Sequence, residues 1–327
     1  MHTMTPAFIG IDWGTTHRRA ALMSTGGELI AERSDGEGAL ACGGRFQASL
    51  EGLVAAWPEA NPTLPVVMAG MVGSAIGWQV VPYLEGETPL SGLARHLVRV
   101  AGAPVERRWF IVPGYCLRGG AGADVDVDVM RGEETQLFGA SHLLGADASD
   151  GCYVLPGTHS KWVRLAGGRI TELRTYMTGE LFALLRQHGT LASAMQTTSA
   201  HAGAGMQHDG VADDPDFLRG VADAAAGPVL THALFGARAR VVTGALAPGA
   251  AAAYVSGLLI GAEWADAQRL ASQHVDPSEP VRVIGEPALA ALHAACARHH
   301  GRRVESLDAR QIQLAAWRAL ATEELPE

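Results

Sequence analysis

The sequence lacks the cysteine patterns of a disulfide-stabilised or zinc-binding protein. Its 327 residues include only four cysteines, and no two of them form a Cys-x-x-Cys motif. Scattered cysteines of this kind are typical of a reducing compartment, where they serve as small apolar core residues. We therefore expect a cytoplasmic protein with four free thiols and no metal site built on cysteine.

An excess of basic charge is also missing. The chain has 25 lysine and arginine residues against 34 aspartate and glutamate residues, which gives a formal net charge of -9 at pH 7. Proteins that bind nucleic acids usually present a basic face to the phosphate backbone. The charge balance therefore argues against a nucleic-acid partner, although it leaves room for a local positive pocket that binds a small anion.

The chain has no long uninterrupted apolar segment. Residues 241–262 carry no charge, but Pro248 and Gly249 divide them, and a spanning helix needs about 20 consecutive apolar residues. We expect a buried helix that begins near Ala250. The first residues lack a charged region followed by an apolar region, so no signal peptide is seen. These features predict no membrane partner.

The length and composition that remain are those of a globular α/β protein. Apolar residues make up 48% of the chain and charged residues 18%, and 327 residues suffice for two domains. Short apolar runs that end at glycine, at 65–70 and 281–285 among others, predict strands, and helical segments are predicted from Gly179, Asp216 and Ala250. Such alternation is typical of an α/β fold. The polar segment 145–150 predicts a boundary, with one domain at 1–145 and the other at 146–327.

A short pattern occurs twice in the chain. Near the N-terminus an apolar run leads into Asp12 and the turn Gly14-Thr15-Thr16, and a second run then ends at Gly26-Gly27. In the middle of the chain another apolar run leads into Gly157-Thr158, and the next ends at Gly167-Gly168. Each copy predicts three antiparallel strands. One Gly-Thr turn could be an ordinary hairpin, but two predict a pair of backbone loops that bind phosphate and hence a nucleotide.

The two copies differ in one residue that matters for metal binding. The first copy carries Asp12, whereas the second has no equivalent acid and has Pro156 where the first has Trp13. A carboxylate beside bound phosphates can hold Mg²⁺, often through water. We therefore predict that Asp12 lies on the metal side of the nucleotide, and that Gly157 and Thr158 contact phosphate without a metal.

Charged residues near position 131 are candidates for catalysis. Glu133 and Glu134 begin a predicted helix, where carboxylates favour the helix dipole, but either could also be the general base for a substrate hydroxyl. The sequence does not choose between them. Arg19 and Arg131 are candidates for a substrate carboxylate or a transferred phosphoryl group, because a guanidinium makes paired hydrogen bonds.

Several further turns are weaker signals. The segment Gly70-Met71-Val72-Gly73-Ser74 could be a close-packed turn or could face the substrate with open backbone, and the chain after it is expected to enter a helix. Gly285 follows an apolar run and on its own indicates only a turn. The segment 202–210 is the predicted flexible loop. The alternating acids at 124–128 lack the residues of a calcium loop and predict an edge strand with a solvated acidic face.

Taken together, these motifs resemble the 2-dehydro-3-deoxygalactonokinase family of sugar-acid kinases, within the hexokinase–Hsp70–actin superfamily. The resemblance implies an α/β fold of two ribonuclease-H-like (actin-like ATPase) domains whose mixed sheets flank a nucleotide cleft. It covers most of the chain and rests on the segments Ile11–Thr16, Val67–Ser74, Val129–Gln136, Pro156–Trp162, Met177–Leu181 and Ser256–Glu263.

The resemblance also implies a reaction and its cofactors. ATP, with Mg²⁺, would phosphorylate the terminal 6-hydroxyl of 2-dehydro-3-deoxy-D-galactonate in galactonate catabolism. The first domain would bind the sugar acid and the second the nucleotide. By similarity, segment 12–16 and Gly157-Thr158 would be the phosphate loops, Gly285 would lie near the adenosine, and the helix after Arg131 would carry the base.

Other functions stay open at this point. The acceptor could be another sugar or another 2-keto-3-deoxy sugar acid, such as the gluconate epimer. The chain could also be a non-catalytic protein of the Hsp70/actin type that ATP switches, or a sugar-sensing regulator. A kinase consumes ATP only when its acceptor is present, which separates it from an ATPase. The sequence leaves open whether the protein is a homo-oligomer.

Overall fold

The computed structural model describes residues 4–57, 61, 63–119, 126–148, 150–195, 211–271 and 278–326. Its strands are β1 (Pro6–Trp13), β2 (Arg18–Ser24), β3 (Leu29–Asp35), β4 (Val66–Gly70), β5 (Leu84–Glu85), β6 (Val98–Arg99), β7 (Trp109–Ile111), β8 (Tyr115–Gly119), β9 (Asp126–Met130), β10 (Gly151–Leu155), β11 (Ser160–Ala166), β12 (Arg169–Tyr176), β13 (Val281–Gly285) and β14 (Val304–Asp308). Its α-helices are α1 (Ala39–Cys42), α2 (Phe46–Ala55), α3 (Glu133–Leu144), α4 (Thr178–Gln187), α5 (Gly189–Met195), α6 (Pro215–Ala225), α7 (Leu230–Val242), α8 (Ala251–Ala271), α9 (Pro287–His299) and α10 (Ala309–Thr322).

The first sheet has the strand order β3-β2-β1-β4-β7-β6. Strands β1, β2 and β3 form the predicted antiparallel meander, and β4 and β7 run parallel to β1. Gly27, with φ 73°, closes the turn between β2 and β3, a conformation that favours glycine. The buried strand predicted near residues 65–70 is confirmed, since every residue of β4 is buried.

The second sheet repeats this order as β12-β11-β10-β13-β14. Strands β10, β13 and β14 are parallel, whereas β11 and β12 are joined by two residues, a link that only antiparallel neighbours can have. Gly167 and Gly168 form this link with φ 56° and 69°, as a tight hairpin turn requires. The helices predicted from Gly179, Asp216 and Ala250, and the strand before Gly285, are confirmed.

The shared strand order confirms the predicted α/β class with mixed sheets. In both sheets the first three strands form a meander and the next two lie parallel to the first, which is the order expected of a ribonuclease-H-like domain. A third, small sheet has the order β5-β8-β9.

The chain divides into two compact units. The first comprises residues 1–150, 164–173 and 309–327, and the second comprises 151–163 and 174–308. The boundaries of these units are not those of the predicted domains 1–145 and 146–327. That domain division stays a prediction. The main difference is α10, which packs on α3 and on β1 and β2 of the first unit. Gly10 and Gly139 permit this, because a side chain at either would overlap α10 at Trp317 or Ile312.

Each unit has its own apolar core. In the first, Trp13, Phe46 and Trp109 belong to one buried cluster between the sheet and its helices. In the second, Trp162 and Trp264 meet edge to face with ring centroids 4.9 Å apart. The four cysteines are free thiols, as predicted. Among the helices that the structure describes, none combines the length and apolarity needed to cross a bilayer.

One local prediction is wrong. The described segment 74–119 contains no α-helix. The chain makes a 3-10 turn at Met71–Gly73, and Gly77 then packs closely on the carbonyl of Val72. The predicted edge strand is confirmed as β9. Among its side chains whose exposure the structure describes, Val127 and Val129 are exposed, and alternation along the strand turns the half-buried Asp128 to the other face. The solvated acidic face stays a prediction. The predicted flexible loop at 202–210 lies outside the described residues.

Candidate active site

The first predicted phosphate loop lies directly after β1, in the first unit. The N–H of Gly14 donates to the carbonyl of His17 at 2.9 Å, and Thr15, Thr16 and His17 are exposed. None of the described residues accepts a hydrogen bond from the N–H groups of Thr15 or Thr16. An exposed turn with free backbone donors is suited to binding an anion.

The first residues of α1 are hydrogen-bonded to this loop. At the start of α1, the N–H of Ala39 donates to the carbonyl of Gly14 at 2.9 Å, and the N–H of Leu40 donates to the carbonyl of Thr15 at 3.1 Å. Gly38 packs so closely on Thr15 that a Cβ atom there would overlap the loop backbone. The carbonyl groups of Gly14 and Thr15 therefore accept hydrogen bonds from α1, and the N–H groups of Thr15 and Thr16 stay available for a ligand.

The second predicted loop, between β10 and β11, has the same arrangement in the second unit. Gly157, Thr158 and His159 are exposed, and the N–H of Glu180 in the first turn of α4 donates to the carbonyl of Thr158 at 2.9 Å. Gly179 takes the position of Gly38, since a Cβ atom there would overlap the carbonyl of Gly157. Both loops are thus fixed by a helix start and a glycine.

A buried carboxylate ties the second loop to its helix. Glu263 of α8 is 2% exposed. Its Oε1 atom accepts hydrogen bonds from Ser160 Oγ at 2.6 Å and Trp162 Nε1 at 2.5 Å, and its Oε2 atom accepts one from Thr178 Oγ1 at 2.7 Å. Because Ser160 follows the loop and Thr178 begins α4, this one side chain fixes both segments.

A cavity of about 470 Å³ adjoins the second loop. Most of its lining is apolar, and it includes Gly157 and Thr158 together with Phe182 of α4 and Leu289 of α9. Gly285 lies beside the loop as well, because a Cβ atom there would stand 2.9 Å from Pro156 Cγ. The structure therefore brings together the three predicted nucleotide residues of this unit.

Three segments of the first unit converge on Asp12. A Cβ atom at Gly70 would lie 2.9 Å from the carbonyl oxygen of Trp13 and 3.4 Å from Asp12 Oδ1, and Gly70 has φ 90°. A Cβ atom at Gly132 would lie 3.4 Å from the Cα of Gly70. The strand ends of β1 and β4 and the start of α3 therefore meet with little side-chain bulk between them. Arg19 faces Asp12 across the β1–β2 ladder.

Arg131 lies at the same place, with its guanidinium only partly satisfied. Its Nη2 atom donates to the carbonyl of Val81 at 2.6 Å, and its Cζ atom lies 4.3 Å from the centroid of the Tyr83 ring. Its Nε and Nη1 atoms are buried and have no hydrogen-bond partner among the described residues. Gly73 is close, since a Cβ atom there would stand 2.8 Å from Nη1. The hydroxyl of Ser74 donates to the carbonyl of Met71 at 2.7 Å.

The two candidate bases differ in their surroundings. Glu134 is fully buried, and its Oε2 atom accepts from the N–H of Gly132 at 2.6 Å. Burial, and then the charge of Glu133, raise the pKa of Glu134 to about 8. Glu133 is half-buried, and its Oε2 atom accepts from the N–H of Arg131 at 3.1 Å. Of the two, Glu133 is the accessible one.

The surroundings of Asp12 fit a Mg²⁺ ion held largely by phosphate and water. Burial raises the pKa of the Asp12 carboxyl, while Arg19 acts in the opposite direction. A cation beside this carboxylate would offset its burial. The described residues include no group of three or more His, Cys, Asp or Glu side chains arranged to hold a metal. In nucleotide sites Mg²⁺ typically uses one or two carboxylates and completes its shell with water and phosphate oxygens.

The amino-acid sequence also matches a known protein family over nearly the whole chain. A family model described as 2-keto-3-deoxy-galactonokinase matches residues 12–320. The chain belongs to this family. The match begins at Asp12 and includes both predicted phosphate loops, the Arg131–Glu134 segment and the Gly285 turn.

Named members of the 2-keto-3-deoxy-galactonokinase family are similar along most of their length. The 2-dehydro-3-deoxygalactonokinase of Escherichia coli (strain K12) is 38% identical over 275 residues, which cover 83% of this chain and 84% of that one. A relative from Rhizobium meliloti (strain 1021), provisionally given the same name, is 34% identical over 316 residues and 96% of each chain. A crystal structure of a protein from Sinorhizobium meliloti, again provisionally so named, has a TM-score of 0.82 at 34% identity and covers 96% of this chain and 95% of that one.

Four residues that make contacts in the candidate site were not predicted to do so from the sequence. Gly38 and Gly179 hold the loops, and Val81 and Tyr83 contact Arg131, yet none of them stands in a motif that predicts such a contact. The repeat of Gly-Thr loops could have prompted a search for a glycine at each following helix start. No comparable signal marks Tyr83.

Proposed function

We propose that this chain is an ATP-dependent kinase that phosphorylates the terminal 6-hydroxyl of 2-dehydro-3-deoxy-D-galactonate in galactonate catabolism. The observation that carries the proposal is the convergence of Asp12, Gly70 and Gly132 in a chain that matches the kinase family model from residue 12 to residue 320. Transfer of a phosphoryl group depends mainly on positioning and on stabilisation of charge, so a site of backbone donors, an acid and arginines suits it.

Glu133 is the general base in this proposal. A base must be ionised and must reach the substrate hydroxyl. Glu134 meets neither condition, because it is fully buried and its pKa of about 8 keeps it largely protonated near neutrality. Glu133 is half-exposed and is oriented by the N–H of Arg131. Glu134 then serves to hold the Gly132 turn on which Glu133 depends.

Arg131 binds the carboxylate of the sugar acid. Buried guanidinium donors without a partner are costly, and a carboxylate is a strong, charged acceptor for such a donor. Nε and Nη1 of Arg131 have no acceptor among the described residues, while Tyr83 and Val81 keep the side chain in place. The turn at 70–74 contacts the rest of the sugar acid through Met71 and Ser74, its partly exposed residues. Arg19, exposed beside Asp12, contacts the transferred phosphoryl group.

The two Gly-Thr loops bind the phosphates of ATP through their free amides. Asp12 would hold Mg²⁺, which when bound would neutralise charge on the phosphates. The adenosine occupies the cavity lined by Gly157, Thr158 and Leu289, and Gly285 packs on Pro156 at the side of this cavity. Exclusion of water from the reactants would protect ATP from hydrolysis.

Composition supports a proposal about the compartment and the partners of the protein. We propose a cytoplasmic enzyme, since its four cysteines are free, and one without a nucleic-acid partner, since its net charge is -9. The sugar acid is assigned to the domain at 1–145 and the nucleotide to the domain at 146–327.

A substrate panel tests the proposal. The protein is incubated with ATP and Mg²⁺ and, in separate reactions, with each of several 2-keto-3-deoxy sugar acids, the galactonate and gluconate epimers included. We expect ADP release only when an acid is present, fastest with the galactonate epimer, and a product phosphorylated at the 6-position. A preference for another acid would overturn the assigned acceptor. ADP release without any acid would indicate an ATPase instead.

A further inference from the structure

A short hydrogen bond between a histidine and a carboxylate lies at the edge of the second phosphate loop. Nε2 of His159 stands 2.6 Å from Oε2 of Glu180, and the two side chains are 48% and 37% exposed. His159 is the last residue of the loop, and Glu180 is the residue whose N–H donates to the loop carbonyl of Thr158. The pair therefore borders the same anion-binding turn that the amides of Gly157 and Thr158 form.

The hydrogen bond to Glu180 determines which ring atom of His159 can bind a ligand. A carboxylate accepts and does not donate when ionised, so Nε2 carries the proton shared with Glu180. The structure gives Nδ1 no partner among the described residues. When the ring is an imidazolium, Nδ1 is a donor as well, and a donor with positive charge makes a short, strong hydrogen bond to a phosphate oxygen.

The two segments that carry this pair are held firmly. Ser160 directly follows His159, and Thr178 precedes Glu180 by two residues, and both donate to the buried Glu263. The backbone contact of Gly179 with Gly157 adds a third constraint. A side chain fixed in this way loses little further freedom when it binds a ligand, which favours affinity.

The negative charge of Glu180 would disfavour a nucleotide unless His159 offsets it. A carboxylate beside a phosphate loop repels a polyphosphate, because like charges at short range disfavour each other. His159 in its charged form cancels Glu180 and presents a donor in addition. We propose that His159 binds a terminal phosphate, β or γ, of the nucleotide, and that Glu180 is its positioning residue. This inference rests on the proposed use of ATP but is independent of the identity of the acceptor.

Nucleotide affinity without any sugar acid tests the inference. Calorimetry measures binding of ATP, ADP and AMP, each with Mg²⁺, to the wild type, His159→Gln, His159→Lys and a double variant in which Glu180→Gln is added to His159→Gln. His188→Gln is the matched control, because His188 is an exposed histidine at the far end of the same helix. Equal urea midpoints for all variants establish that the fold is intact.

We expect His159→Gln to weaken ATP binding by about tenfold or more, the range of a hydrogen bond to a charged group, and AMP binding by less than about twofold. Lysine at position 159 should retain more ATP affinity than glutamine, because it restores the positive charge. The double variant should bind ATP more tightly than His159→Gln, because it removes the uncompensated carboxylate. A purely structural role for His159 would not produce that recovery.

Three results would overturn the assignment: unchanged ATP binding in His159→Gln, an equal loss for ATP and AMP, or a double variant weaker than His159→Gln. Failure of the kinase proposal looks different. A wild type that binds ATP with the expected variant pattern, yet phosphorylates no acid, overturns the acceptor and keeps the His159 assignment. A wild type that does not bind ATP overturns both.

Discussion

Replacing Glu134 with glutamine should change how the stability of the protein depends on pH. Glu134 is fully buried at the start of α3, and burial together with the charge of Glu133 raises its pKa from 4.5 to about 8. In the unfolded chain the carboxyl returns to its ordinary pKa of 4.5. Between these two values the folded protein keeps a proton that the unfolded chain has released.

The sign and size of the effect follow from this difference. Because the folded state binds more protons in that window, the free energy of unfolding falls as pH rises, by up to about 1.4 kcal/mol per pH unit. Between about pH 5 and about pH 8 the loss from this one group amounts to roughly 3 kcal/mol. Glutamine has nearly the same shape, can accept from the N–H of Gly132, and has no proton to lose. The variant should therefore gain roughly 3 kcal/mol relative to the wild type across this range.

Equilibrium urea unfolding of both proteins at a series of pH values measures the difference. Other titrating groups are common to the two proteins and largely cancel. Glu51→Gln, at an exposed position of α2, is the control and should show a nearly constant difference from the wild type. If the difference for Glu134→Gln stayed within about 0.5 kcal/mol from about pH 5 to about pH 8, the burial argument for a raised pKa would be refuted.

Three further substitutions probe the site. Glu133→Gln should lower kcat by about a hundredfold or more at unchanged urea midpoint, and a smaller loss would remove Glu133 as the base. Asp12→Asn should abolish most of the Mg²⁺-dependent turnover, measured by titrating Mg²⁺ at fixed ATP; turnover near the wild-type level would contradict the metal role. Glu263→Ala should destabilise the protein by about 3 kcal/mol in urea unfolding, because three donors, two of them buried, lose their acceptor, whereas a loss below about 1 kcal/mol would show that the network contributes little.

The strands and turns of this fold could be predicted because their signals are local. The glycine pairs at 26–27 and 167–168 adopt the conformations that tight hairpins need, and the apolar runs before Gly70 and Gly285 are buried strands. The assignment of α10 to the first unit had no such signal. Its contact with Gly10 joins residues about 300 positions apart, and such contacts have no local pattern to announce them.

The candidate site shows the same limit. Glu133 and Glu134 are neighbours in sequence and share a helical turn, so their residue types alone could not rank them. Their burial differs because the neighbouring elements cover Glu134 and leave Glu133 half-exposed. Tyr83 contacts Arg131 from 48 positions away, and only the folded chain brings its ring to the guanidinium.

The helix starts that contact the two predicted phosphate loops offer a way to observe each loop separately. The amide hydrogens of Ala39 and Leu40 are bonded to the first loop, and that of Glu180 is bonded to the second. Exchange of these hydrogens with deuterium requires the loop–helix bond to open. Exchange is therefore measured with and without pyrophosphate, a nucleotide fragment that involves no turnover of ATP. Slowing on addition of pyrophosphate at Ala39 and Leu40 indicates that it orders the first loop, and slowing at Glu180 indicates the second.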